Sequence, residues 1–268
     1  MEEDLVELLA STGVTCRLLV EQTRGPYHRA VHPERREITE DRDGLPLRLG
    51  LRLLAADATT PLADVLVEVW QADHVGRYSG FQPFEARPGQ VVTSESVPHD
   101  VIAAGETYLR GSQRTDQRGM CAFNTIYPGW YASRTVHIHL IAHLGDRSVT
   151  TQLYFPDPVT DQVFTRPPYR GRPQRDTTNA TDSIFADGGE QMILDLQGDP
   201  TTGYTGSSAS SSTRKRDLPR LRVLRQKATV DRGQHGADQG HHRGSPRRRR
   251  RRRRYRTGRS LHTGCPPA

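Results

Sequence analysis

From Thr135 to Leu140 residue type alternates: Val136, Ile138 and Leu140 are apolar, and His137 and His139 fall between them. Side chains along a strand point to opposite faces in turn, so this run reads as a strand with one greasy face and one face carrying two imidazoles. Leu47, Leu49, Leu51 and Leu53 alternate with Arg48 and Arg52 in the same way, which makes a second half-buried strand. Residues 65–70, 108–114, 120–126, 149–155 and 192–196 supply further short runs of strand-forming character. Turn signals separate them, among them Thr115–Gly119 and Gly145-Asp146. Only residues 2–9 suggest a short amphipathic helix. Many short strands, frequent turns and no long helical pattern predict an all-β chain with a β-sandwich core. Residues 80–105 and 156–189, rich in proline and turn formers, read as long irregular loops covering it.

Charge divides the 268 residues unevenly. Of 38 Lys+Arg and 31 Asp+Glu, residues 213–268 hold 19 and 3, a net of +16, which leaves −9 on residues 1–212. The overall +7 therefore describes neither part, and the folded body is acidic. Residues 247–254 are eight consecutive arginines; they repel one another and cannot pack. The expected organisation is a short lead over 1–24, a sandwich domain over 25–202 and a disordered basic tail over 203–268. The tail is read as an inert extension, with adhesion to nucleic acid or another polyanion as its functional alternative. Cys16, Cys121 and Cys265 are too few and too scattered for a disulfide framework or a zinc knuckle. No apolar run approaches a membrane span, and the acidic start Met1-Glu2-Glu3-Asp4 does not resemble a signal peptide. Those two features set the expectation of a cytoplasmic protein.

The chemistry concentrates around His137 and His139. Two imidazoles two residues apart on a strand are about 6.6 Å apart along it and can converge on one ion. Tyr131 and Arg134 lie just upstream, past the turn Pro128-Gly129, and Tyr78 follows the strand over 65–70. Phenolate oxygen is a hard donor suited to Fe(III). A phenol loses its proton readily only to a strong Lewis acid.

Six stretches in order now carry a family resemblance: Gly25-Pro26-Tyr27; Val69-Trp70-Gln71-Ala72-Asp73 with Gly76-Arg77-Tyr78-Ser79; Leu109-Arg110-Gly111 with Thr115-Asp116 and Gly119; Thr125-Ile126-Tyr127-Pro128-Gly129-Trp130-Tyr131; Arg134 with His137-Ile138-His139; and Thr151-Gln152-Leu153-Tyr154-Phe155. Over roughly residues 20–200 the chain resembles the intradiol ring-cleavage dioxygenases, nearer to the protocatechuate 3,4-dioxygenase type or to single-chain relatives than to those with a helical N-terminal domain. The resemblance implies a β-sandwich holding non-haem Fe(III) on Tyr78, Tyr131, His137 and His139, with Tyr131 and His139 axial. It implies a small catechol-type diol and O2 as substrates, and cleavage between the hydroxyls to a muconate-type diacid. Arg134 takes the place of the arginine that stabilises charge on the substrate, Gln152 that of a glutamine near the iron, and Tyr27 that of a residue lining the substrate pocket. Arg24 and His28 depart from the pattern at the pocket entrance. The sequence leaves a homo-oligomer open. It also leaves a non-catalytic β-sandwich binding module, transthyretin-like or carbohydrate-binding, as the competing reading.

Overall fold

The leucines that alternate along residues 47–53 turn inward against a second apolar surface, and that contact sets the architecture. A computed structural model describes residues 16–82 and 103–211. β1 (Cys16–Leu18), β9 (Gly203–Ser211), β2 (Pro46–Leu54) and β5 (Met120–Ile126) lie side by side in one sheet, with β8 (Asp195–Asp199) paired to β9. The second sheet runs β4 (Arg110–Arg114), β3 (Leu66–Gln71), β6 (His137–Leu144) and β7 (Arg147–Tyr154), all antiparallel. Leu47, Leu49, Leu51, Leu53 and Phe123 of the first sheet meet Val67, Val69, Ile138, Leu140 and Ala142 of the second in one buried cluster. Each large side chain in it contributes roughly 1.5–3 kcal/mol by leaving water. The chain is thus the all-β sandwich expected.

Three elements differ from expectation. Helix α1 (Asp157–Phe164) forms inside a stretch read as irregular loop. Its Pro158 occupies the first turn, where a missing N–H costs nothing, and only Thr160 and Val163 are buried, too short a stripe to show as periodicity. The strand expected over 192–196 forms later: a 3-10 turn, Gly189–Met192, ends where it was to begin, and β8 starts only at Asp195. Met192 and Leu194 fill the core between the sheets, and the Leu194 N–H donates to the Tyr154 carbonyl at 2.8 Å. The tail drawn from residue 203 opens with β9, which runs parallel to β2 from Leu47↔Tyr204 to Leu54↔Ser211. Its residues Ser207 and Ser208 are buried. Small polar side chains suit a strand pressed between two others, and their polarity disguised it. The rest of the tail, the arginine run included, the helix expected over 2–9 and most of the loop over 80–105 lie outside the described residues. Among the described residues no helix is long and apolar enough to cross a membrane.

Candidate metal centre

The second sheet's outer face carries the site, and its register assembles it. Arg110 pairs with Trp70, Trp70 with His139, and His139 with Gln152. Directly opposed residues share a face, so these four form one row across β4, β3, β6 and β7. His137, opposite Tyr154, begins the next row. Trp70 lies flat on His139, ring centroids 4.7 Å apart and planes 1° apart, which fixes that imidazole. The segment from Gln22 to Arg29 straps across this face. The Gln22 N–H donates to the Thr150 carbonyl at 2.8 Å, and Gln152 Nε2 donates to the Thr23 carbonyl at 2.9 Å. Gly25, at φ +69°, passes so close that a Cβ would come within 3.2 Å of His139 Cε1.

Two loops deliver the tyrosines, and they are locked together. The Asp73 carboxylate accepts from the N–H groups of Val75 and Arg77 at 3.0 and 2.8 Å, shaping the turn before Tyr78. Its carbonyl accepts from the Gly129 N–H at 3.0 Å, tying in the loop before Tyr131. A Cβ on Gly129 would sit 2.4 Å from the His74 carbonyl, and one on Gly76 would sit 2.2 Å from that of Trp130. Only glycine permits this approach. Arg172 closes the seam, donating to the carbonyls of His74 and Trp130 at 3.1 and 2.8 Å, with its guanidinium 4.6 Å over the Trp130 ring.

The four expected donors converge. His137 Nε2 lies 3.0 Å from His139 Nε2, and Tyr131 Oη lies 3.2 Å from His137 Nε2. Tyr78 packs edge-on against Tyr131 with centroids 5.6 Å apart, its hydroxyl buried without a partner at hydrogen-bonding geometry. Burial, then the Arg134 charge, pushes the His137 pKa down to about 3. Burial, then His137, holds His139 well below its ordinary value. Both are therefore neutral at pH 7. His137 Nδ1 lies 2.7 Å from the Thr135 carbonyl, which keeps the proton on Nδ1 and leaves the Nε2 lone pair facing the cluster. Burial also raises both phenols, Tyr78 well above its ordinary value, so neither ionises without a cation. Two neutral imidazoles and two buried phenols aimed at one point are a donor set that fits a ferric ion in charge and hardness.

Arg134 and Gln152 lie against this cluster. Arg134 Nη1 lies 3.5 Å from His137 Nε2, and Nη2 donates to Gln152 Oε1. Tyr27 stacks on Tyr78 at 4.3 Å and meets Phe81 and Tyr131 edge-on, an aromatic wall beside the donors. Asp182 is the residue that sequence reasoning misses. It accepts from Arg134 Nε and the Thr135 N–H, both at 2.8 Å, and from the N–H groups of Ile184 and Phe185. Burial opposes its charge; Arg134 and the Thr135 N–H outweigh burial and hold its pKa below the ordinary carboxylate range. It lies 48 positions from Arg134 in a loop with no periodicity, so no local signal marks it. A cavity of about 520 Å³ lined by Trp130, Phe164, Tyr169 and Arg172 lies beside the Tyr131 loop, and none of the four donors lines it.

The chain is a β-sandwich that gathers two histidines from one strand and two tyrosines from neighbouring loops into a donor set able to hold a metal ion. Residues 24–170 match the family model described as "Dioxygenase", and the chain belongs to the intradiol ring-cleavage dioxygenase family. It is 35% identical over 125 residues to the protocatechuate 3,4-dioxygenase beta chain of Burkholderia cepacia, a match that covers 42% of this chain and 47% of that protein. The chain thus spans about half the length of that relative. Among solved structures, an intradiol ring-cleavage dioxygenase from Tetranychus urticae matches at a TM-score of 0.64 and 27% identity, over 74% of this chain and 94% of that one. The dioxygenase domain of a carbohydrate-binding fusion from Streptomyces sp. SirexAA-E matches at 0.50 and 27%, over 74% and 99%.

Proposed function

We propose that this chain is a non-haem ferric dioxygenase that opens catechol-type diols between their hydroxyls with O2, giving muconate-type diacids. The convergence of Tyr131 Oη, His137 Nε2 and His139 Nε2 within 3.2 Å contacts carries the reading, joined by the buried Tyr78 hydroxyl beside Tyr131. Tyr78, Tyr131, His137 and His139 would hold the iron, which when bound supplies the Lewis acidity that makes a chelated catecholate reactive toward O2. The protein's own groups do the rest. Tyr131, less buried than Tyr78, would be ionised while it holds the iron and would take up at Oη the proton of an incoming diol hydroxyl. Arg134, held by Asp182 and Gln152, sets a fixed positive charge beside the donors, where negative charge on the substrate ring is stabilised. Tyr27, Phe81 and Trp70 exclude water around a flat aromatic guest. The names of the relatives support this chemistry, and the beta-chain relative makes protocatechuate one diol to try.

Ferric loading tests it. Tyrosinate on Fe(III) gives a visible charge-transfer band, and loaded protein is expected to consume O2 with catechol, protocatechuate or hydroxyquinol and form a diacid product. A protein that stays colourless after loading would instead be a β-sandwich binding module.

A further inference from the structure

Beyond Gly25, the strap and the residues just after it bring two more imidazoles, His28 and His32, onto the outer face. Glu68, on β3 two residues before Trp70, lies beneath them. His28 Nε2 is 3.4 Å and His32 Nε2 3.7 Å from Glu68 Oε2, and the three donor atoms all lie within 4.8 Å of one another. We infer that His28, His32 and Glu68 form a second metal site, for a borderline divalent cation of the zinc type, distinct from the cluster of Tyr78, Tyr131, His137 and His139.

The distances favour coordination over plain ion pairing. A charge-assisted N–H···O bond closes to about 2.7–2.9 Å; His28 makes only a long hydrogen bond to Glu68 Oε2, at 3.4 Å, and His32, at 3.7 Å, makes none. Four ligands at zinc's bond lengths of about 2.0–2.1 Å are about 3.4 Å apart, close to what His28 and His32 show. The other carboxylate oxygen behaves differently: His143 Nε2 meets Glu68 Oε1 at 2.9 Å, an ordinary hydrogen bond. His143 thus fixes the carboxylate with one oxygen turned toward the two imidazoles, the role of an outer partner in metal sites.

The second observation is His32 itself. Its side chain is 2% exposed, and both ring nitrogens are buried without a partner at hydrogen-bonding geometry. A buried polar atom left so is costly, and a bound cation removes that cost at Nε2. Burial, the largest influence, pushes the His32 pKa down to about 4, so its lone pair is free at neutral pH. Trp70 separates this site from the first: its face lies on His139, and its ring meets His28 and His32 edge-on at 5.0 and 5.6 Å. A cation here staples the strap that carries Tyr27 to β3, on the far side of that indole.

Equilibrium dialysis of the iron-loaded full chain against zinc sulfate, with both metals counted by mass spectrometry, tests the site independently of ring cleavage. Wild type is expected to take up one zinc per chain with its iron content unchanged. Glu68→Gln and His32→Gln should each weaken zinc binding at least tenfold. His28→Gln, at a partly exposed position, gives the same test without disturbing buried packing, and His241→Ala with His242→Ala should leave zinc binding intact. Uptake equal in wild type, Glu68→Gln and His28→Gln overturns the site. So does no uptake by wild type at about tenfold molar excess, and so does uptake only as iron leaves.

Discussion

Arg134 and Asp182 show what one residue pair does for the donor cluster. Asp182 anchors the guanidinium at Nε and the backbone just before the His137 strand at the Thr135 N–H, so it positions a charge and an imidazole together. Replacing it by alanine strands the buried Arg134, and breaking such a pair costs about 3–5 kcal/mol; a urea midpoint reads the loss. The pH dependence has a definite sign. The folded-state pKa of Asp182 lies below its ordinary value, which is about 3.9. The pair's stabilisation is therefore complete above that value and fades as pH falls through the folded-state pKa. The stability gap between wild type and Asp182→Asn should be widest near pH 7 and narrow below about pH 4. Arg134→Ala is expected to keep the iron colour and slow ring cleavage by about 100-fold or more, as loss of a preorganised charge does; unchanged O2 uptake would remove Arg134 from the site. Tyr131→Phe should weaken iron retention and alter the visible band. Tyr131, His137 and His139 are legible in the sequence because they fall within nine residues. Asp182 is not, because its partnership is made only by the return of a distant loop.

At the scale of elements, strand register aligns the site and two glycine loops close it. Gly129 lets the Tyr131 loop lie against the backbone of His74, so Gly129→Ala forces apart the loops that deliver Tyr78 and Tyr131. Overpacking of this kind costs about 1–3 kcal/mol. The expected result is a lower Tm together with weaker ferric loading, while a surface substitution at Gly145, where a Cβ meets nothing within 4 Å, should leave loading intact despite its positive φ. Alternation alone reveals the inward faces of β2 and β6, since a period of two is a local property of the chain. It does not reveal α1, whose two buried residues make no stripe, nor that the strand expected at 192–196 starts only at Asp195, after Met192 and Leu194 have turned into the core.

For the whole molecule, β9 carries the first sheet past residue 202, the expected end of the sandwich. It is bonded to β2, β1 and β8, so a chain stopped after residue 202 leaves an inner place in the first sheet unfilled. That truncation should lose cooperative thermal unfolding, whereas one stopped after residue 211 should retain it and the ferric colour; equal behaviour of the two would deny β9 its structural role. The β class, the apolar faces and the histidines and tyrosines that come together could all be read along the chain, because alternation and short motifs are written within a few residues of each other. Only the tertiary structure decided that Asp182 and Arg172 brace the donors, that Glu68 faces His28, His32 and His143, and that a serine-rich segment completes the sheet. Those contacts join residues far apart in the chain, and which of them meet depends on how two sheets and their covering loops exclude water together.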